Sequence, residues 1–405
     1  MKDTIIFASA LGISEPWFVN KVEFTPEIDG EVLHIYIEHK TGYQYRYDGD
    51  FCSIYDHVPR TWRHLNFFQH VCYLHAKVPR VRTKNGSTLQ IDVPWADAGS
   101  SFTLLFEAYS MLLVKSGMSL TAAGEYMNID GRILGRIIKR HVANALAEQP
   151  LEAVQELGMD ETSYQKNHDY ITVLTDKKSK KVVGLGHGKG EEAVKEALIE
   201  MEVRGADRDD IETISLDFSP SFIAACNNYF PQAAKVFDRF HLDKLLSTAV
   251  DQVRREDQKH NVELKKTRYL WLKNFSNLSE KKKKIVETLQ QTCPRIGKAY
   301  RLKEQFKEIF QEIEKDKALE LLEAWITLAI TSEIEPIINF TNTLQKHWQG
   351  IITYFDGRVS NAFAEQVNLK IQEIKRVAKG YRKLDNYHDI FSSWWTSITF
   401  TIVTH

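Results

Sequence analysis

Two short apolar runs constrain the chain more than anything else in it. "VQELGMDETS" leads through Leu157 and Met159 into Asp160, and "IETISLDFSPSF" leads through Ile214 and Leu216 into Asp217, 57 residues later. Both read as strands bounded by polar residues, and both end on an aspartate followed closely by Ser or Thr. A carboxylate without a partner is costly to bury. If the two strands are neighbours, two carboxylates meet at one end of a sheet, and like charges that close repel each other. A divalent cation with oxygen ligands relieves that repulsion. Mg²⁺ keeps open water positions and suits phosphate chemistry. An aspartate at a strand end can equally be a cap or turn residue, so the pair carries the argument and neither residue does alone.

The text around the pair fits a mixed α/β domain. "DYITVLTD" and "KVVGLGHG" are strands joined by the polar turn Asp176 to Ser179, and His187 reads as a turn residue beside glycines. "EEAVKEALIEME" and "SFIAACNNYF" read as helices and "AKVFDRF" as a fifth strand. A third acid, Glu365 in "SNAFAEQVNLKIQEIKR", opens an amphipathic helix that later carries Lys370, Lys375, Arg376 and Lys379. It lies 148 residues beyond Asp217, too far for one loop in a compact domain. The charged, helical text from Leu242 to about Leu344, with its Lys281 to Lys284 run, is therefore expected to be an insertion. Glu161 reads as a neighbour of the site rather than a ligand. Asp238 and His241 in "FDRFHL" either line the site or form a local cap or ion pair. Trp394 and Trp395 read as core.

The first hundred residues look β-rich. "EVLHIYIEH" alternates as a half-buried strand does, "TGYQYRYDGDF" carries a hairpin signal, and Asn85-Gly86 turns the chain between two further strands. From Ser101 the pattern turns helical. In "SLTAAGEYMNIDGRILGRIIKRHV", Ser119 caps a short helix, Met127 to Asp130 turn, and a basic second helix runs to about Val142, the pattern of a helix-turn-helix. Arg132, Arg136, Lys139 and Arg140 lie on that second helix, and Gln149-Pro150 reads as a linker. The chain has 405 residues and a net charge of −1, which argues for several domains without a uniformly basic coat. No run of about 18 apolar residues predicts a membrane span. The opening residues read as a mature start. The four cysteines, Cys52, Cys72, Cys226 and Cys293, form no CxxC pair and fit a reducing cytoplasm.

"GMDETS", "SLDFSPSF", "VFDRFHL" and "SNAFAEQVN…IKR…GYR", in that order, resemble insertion-sequence transposases of the DDE type. The likeness is to the group with an N-terminal zinc-binding segment, a helix-turn-helix and a ribonuclease-H-like catalytic domain. "TWRHLNFFQHVCYLHAKVPRV" followed by "VPWA" is similar to the same group. The resemblance implies a multidomain α+β and α/β architecture. It has a β-rich domain over residues 1–100, a helix-turn-helix over 101–150, and a ribonuclease-H-like core over 151–241 and 345–405 interrupted by a helical insertion over 242–344. It implies Asp160, Asp217 and Glu365 as a metal-binding catalytic triad with two Mg²⁺ (or Mn²⁺) ions. It implies cleavage and strand transfer at terminal inverted repeats, with double-stranded DNA as partner. The enzyme is expected as a homodimer or higher oligomer on DNA, nucleoid-associated in a prokaryotic cytoplasm. DNA contacts are expected from Arg132, Arg136, Lys139, Arg140, Lys370, Lys375 and Arg376. One departure stands out: where the group places cysteine pairs, this chain has "YQYRYDGDFC" and "RVRTKNG", with Thr83 about where a cysteine would stand. Zinc takes about four nitrogen or sulfur ligands, so no zinc is expected. Two rivals stay open, a catalytically silent DNA-binding regulator and a ribonuclease-H-class nuclease without strand transfer.

Overall fold

The computed structural model describes residues 3–28, 30–47, 49–163, 169–357, 362–377 and 392, without the side chains of 357, 362, 364, 365 and 377. Trp394, Trp395 and Lys379 lie outside the described residues. The chain divides into two units, Met1–Glu148 with Arg376–His405, and Gln149–Lys375.

The first unit opens with α1 (Asp3–Ala10), β1 (Trp17–Glu27), β2 (Gly30–His39), β3 (Tyr45–Tyr47), β4 (Asp50–Cys52), β5 (Ile54–Phe67), β6 (His70–Arg82) and β7 (Thr88–Gln90). The main sheet has the order β1-β2-β6-β5, with β7 added to β6 and β2 parallel to β6. Leu33, Ile35 and Ile37 point to one face and pack with Trp17, Trp62 and Leu74, as the alternation of β2 requires. The sequence text did not single out β5. Pro59 interrupts its apolar pattern, and proline argues against a central strand; here β5 is the last strand on the β1-β2-β6-β5 path.

Three helices follow: α2 (Leu104–Lys115), α3 (Leu120–Met127) and α4 (Gly131–Glu148). The Thr103 and Ser119 side chains cap α2 and α3 by accepting the N–H of Phe106 and Ala122. The chain leaves α3 through Asn128 in the left-handed region, at φ 55°. A Cβ on Gly124 would come within 2.7 Å of the Ile129 carbonyl oxygen, and one on Gly131 within 2.8 Å of that of Leu120. The α3–α4 turn is thus closed backbone against backbone, which only glycine permits. Leu134, Ile137, Ile138 and Val142 bury one face of α4.

The second unit begins with β8 (Glu156–Ser163), β9 (Tyr170–Asp176), β10 (Lys181–His187), α5 (Glu191–Val203), β11 (Thr213–Leu216), α6 (Pro220–Tyr229) and β12 (Ala234–Phe237). Its sheet has the order β10-β9-β8-β11-β12. The first three strands are antiparallel neighbours, and β8, β11 and β12 are parallel. Leu157, Met159, Ile214 and Leu216 turn to the face covered by α5 and α6. The sequence places the two β10 glycines inside a strand without a reason for them, and the fold supplies one. A Cβ on Gly184 would lie 2.0 Å from the Ala197 carbonyl oxygen and one on Gly186 1.8 Å from that of Ala193, so α5 rests directly on the β10 backbone.

The helices α7 (Arg239–Asp257), α8 (Arg268–Leu272), α9 (Glu280–Thr292), α10 (Pro294–Ile309), α11 (Lys315–Ile330), α12 (Glu335–Lys346) and α13 (Trp348–Gly357) follow. They share one apolar core that includes Trp271, Tyr300, Phe306, Trp325 and Phe340 and reaches Val236 on β12. The last described helix is α14 (Ala362–Val377).

Candidate active site and DNA-facing helix

Asp160 does not close its strand, as the sequence reading had it; β8 continues to Ser163, because Thr162 and Ser163 pair with Ile171 and Tyr170 of β9. Asp217 follows β11 directly. Thr213 lies opposite Glu156 and Ser215 opposite Gly158. Carrying that register two residues further brings Asp217 level with Asp160 on the neighbouring parallel strand. On the far side Leu216 lies opposite Phe237 of β12, and the Asp238 N–H donates to the Leu216 carbonyl at 3.2 Å. Three aspartates therefore leave or line three adjacent strands.

Asp160 is buried. Its Oδ1 accepts the N–H of Glu161 and its Oδ2 accepts Nδ2 of Asn368 on α14, both at 2.8 Å. Burial pushes its carboxyl up to about 6, and the negative charge of Asp217 adds to the rise; the Glu161 N–H, His241 and Asn368 pull the other way. Half-buried Glu161 is likewise raised by burial and then by Asp217, and opposed by Lys189, His241 and Lys244. Asp217 accepts the N–H of Ser219 at 2.8 Å at the start of the turn into α6.

Asp238 is buried as the N-cap of α7, accepting the Phe240 N–H at 3.0 Å. Of the two lining candidates it has the capping role that the sequence left open. His241, near the start of α7, opposes the rise at Asp160 and at Glu161.

Helix α14 is fastened along β8. Asn368 bonds Asp160, Gln372 Nε2 bonds Thr162 Oγ1 at 2.9 Å, and Lys375 Nζ donates to the Ser163 carbonyl at 3.2 Å. Positions 368, 372 and 375 share one helical face. Glu365 is on this helix three positions before Asn368; its side chain lies outside the described residues. Lys370 pairs with Glu373 at 2.8 Å, and Arg376 is exposed. Lys375 is thus turned to the protein's own strand rather than outward. Sequence reasoning missed Asn368, although its spacing of three from Glu365 and four from Gln372 is a legible signal.

On α4, Arg132, Arg136 and Lys139 are exposed, and Arg132 pairs with Asp130 at 2.6 Å. Arg140 departs from the expected stripe. Its guanidinium is turned to fully buried Glu107 on α2 and lies 3.5 Å from Asp97. His141 Nε2 meets the same Glu107 oxygen at 2.7 Å, and Ser100 donates to the other. A buried carboxylate on α2 needs that charge, so Arg140 ties α4 to α2 instead of facing outward. Among the described residues Asp97, Glu107 and His141 form a group that could hold a cation. The Arg140 guanidinium already supplies the positive charge there.

In the β-rich segment, Cys72 lies in the main sheet core and Cys52 in a separate cluster with Tyr45 and Val81. Both are buried and free, and burial pushes the Cys72 thiol up to about 12. Thr83 Oγ1 instead holds its turn by bonds to the Ser87 carbonyl at 3.0 Å and the Ser87 hydroxyl at 2.7 Å.

Comparison with known proteins agrees with this layout. A family model described as a transposase of the ISL3 group matches residues 157–390. The helix-turn-helix domain of transposase family ISL3 matches residues 91–142, and the zinc-finger of transposases IS204/IS1001/IS1096/IS1165 matches residues 47–85. The chain belongs to the ISL3 family of transposases. It is similar to the transposase for insertion sequence element IS1557 of Mycobacterium tuberculosis, 24% identical over 420 residues that cover 94% of this chain and 93% of the relative. It is also similar to the transposase for insertion sequence element IS1001 of Bordetella parapertussis, 25% identical over 387 residues that cover 92% and 94%. Among the described residues no helix is long and apolar enough to cross a membrane.

Proposed function

We propose that Asp160, Asp217 and Glu365 form the catalytic centre of this transposase, on a ribonuclease-H-like core, and that it cuts and joins DNA at the terminal inverted repeats of its element. The observation that carries the reading is the placement of Asp160 level with Asp217 on parallel strands, with α14 fastened beside them through Asn368. The strand order, three antiparallel then two parallel, supports the ribonuclease-H-like assignment. So does the division into a β-rich segment, three helices, a split core and a helical block.

The donor set fits a hard divalent cation. It offers carboxylate oxygens without a sulfur, and the buried Oδ1 of Asn368 next to Asp160 has no hydrogen-bond partner. The three acids would hold two Mg²⁺ or Mn²⁺ ions. Bound ions would supply Lewis-acid activation of the attacking oxygen and stabilisation of the leaving oxygen. The chain's own residues do the rest. Asn368 and the Glu161 N–H fix the Asp160 carboxylate, the Ser219 N–H fixes Asp217, and His241 lies where it opposes the rise at Asp160. Arg132, Arg136 and Lys139 present a basic face to a major groove, where arginine reads guanine and both residue types meet phosphate. Lys370 and Arg376 lie on α14 for backbone contact. We place the protein in the cytoplasm, acting as a homodimer or higher oligomer on DNA.

The test is strand cleavage of duplexes carrying the element's ends, with Mg²⁺ and with EDTA. Cleavage that stops with EDTA and returns with Mg²⁺ is expected. An Arg132→Ala, Arg136→Ala double variant should lose about 1–3 kcal/mol for each base-reading arginine and blur sequence preference. Metal-independent cleavage, or binding untouched by the double variant, would overturn the corresponding half of the reading.

We also propose that the β-rich segment folds without zinc, since its two cysteines sit in different clusters and Thr83 is satisfied by Ser87. Elemental analysis of purified protein is expected to find no stoichiometric zinc. One tightly held zinc per chain would refute this.

A further inference from the structure

The chain has a net charge of −1, yet one cavity in the second unit is strongly basic. A groove of about 770 Å³ runs along α7 and is closed by α8 and α10. Lys244, Arg254, Arg255, Arg268, Lys303 and Lys307 line it, against two carboxylates, Asp243 and Asp251. From Phe240 to Arg255 the lining positions on α7 recur at helical spacing, a stripe roughly 22 Å long at 1.5 Å per residue. One end of that stripe is beside the acids. Lys244 follows His241 by three positions, and its charge reaches Glu161.

The cations are not equivalent. Lys303 Nζ donates to the carbonyls of Trp271 at 2.7 Å and of Leu272 and Lys273 at 3.2 Å, so it builds the floor. Arg254 is buried and donates to Asp251 at 2.8 Å. The same Asp251 lies 3.6 Å from Arg255 and 3.5 Å from Arg268, whose side chains stay 62% and 57% exposed. One buried carboxylate thus orients two outward guanidinium groups, a preorganised arrangement suited to phosphate.

We infer that this groove grips the phosphate backbone of DNA next to the acids, a second DNA contact separate from the α4 face. The inference rests on the reading of Asp160 and Asp217 as the site of DNA chemistry. A row of cations spread over this length suits a polyanion better than a single small anion. Each phosphate that a cation neutralises releases counterions, which makes affinity fall with salt.

The test is binding of the full-length protein to a mixed-sequence duplex of about 30 base pairs across a salt series without metal. A Lys244→Gln, Arg255→Gln, Arg268→Gln variant is compared with a Lys178→Gln, Lys181→Gln, Lys195→Gln control carrying the same loss of charge on exposed positions elsewhere in the unit. The slope of log affinity against log salt is expected to flatten by roughly 0.9 for each phosphate contact removed, up to about three contacts, in the groove variant alone. An unchanged slope, or equal flattening in the control, overturns the inference. If the triple variant melts early, Arg255→Gln alone should flatten the slope by roughly one contact, and no change there counts against it. Asp160→Asn should keep the wild-type slope, so failure of the catalytic reading and failure of the groove show up in different measurements.

Discussion

Asp160→Asn is expected to cut metal-dependent strand cleavage by roughly three orders of magnitude or more, since metal-assisted charge stabilisation is worth several kcal/mol and each 1.36 kcal/mol is tenfold. Asparagine keeps the volume and one carbonyl oxygen to accept the Glu161 N–H, so the fold should survive. Stability should move the other way from activity. Asp160 is buried and its carboxyl is raised to about 6 from an ordinary 3.8. Between those values the folded chain holds more protons at this group than the unfolded chain, so its contribution to stability falls as pH rises through that window. Without added metal, Asp160→Asn removes that loss, and the variant should melt at or above the wild-type temperature at pH 7. A stability-only role for Asp160 predicts the reverse, lower melting with proportionate loss of activity. Thermal melts at pH 4, 5.5 and 7 beside a cleavage assay separate the two. Asp217→Asn should match the loss of cleavage.

Gly186→Val should do the most damage to the fold. The first atom of any side chain there would sit 1.8 Å from the Ala193 carbonyl oxygen. That atom belongs to the backbone of α5, and no rotamer change relieves the clash; the helix has to leave the sheet. Overpacking in cores typically costs about 1–3 kcal/mol. A clash with helix backbone belongs in the exceptional class of about 4 kcal/mol or more. For a unit of this size that is a fall in melting temperature on the order of 10 °C, or protein that fails to accumulate in soluble form. Gly190 gives the contrast, because a Cβ there meets nothing within 4 Å. It is the N-cap of α5, so Gly190→Ala should cost no more than about 1 kcal/mol. A Gly186→Val protein that melts with the wild type would mean that α5 does not rest on β10 as described.

How far the sequence could be read depended on whether the signal was local. The strands of the second unit were legible because each is an apolar run between turn residues. The capped α3 and the turn into α4 were legible because Ser119 and Asn128 are local signals. The pairing of β8 with β11 was an inference from two similar strand ends, and it needed the register to place Asp217 level with Asp160. Arg140 could not be sorted from its neighbours. Residues 139 and 140 differ by about 100° around a helix, and the deciding partner, Glu107, is on another helix. The β10 glycines were legible only as strand positions, because sequence shows a missing side chain without showing what occupies its place. Cys52 and Cys72 could be counted, but only the fold shows that they belong to different clusters. Glu365 stays where the sequence put it, on the helix that Asn368 fastens to β8.

The order in which the site's parts occur along the chain has a consequence for synthesis. The helix-turn-helix is complete at Glu148, and β8 to β10 form a local meander soon afterwards. Helix α14, with the proposed third acid, begins only at Ala362. At about 5–20 residues per second, a ribosome exposes α4 many seconds before the last of the proposed acids exists. During that interval a nascent chain carries α4 without a complete set of acids. On the proposed reading, in which α4 reads the element's ends and Glu365 completes the acids, a product that stops early would occupy an end without cutting it and would compete with the full-length enzyme.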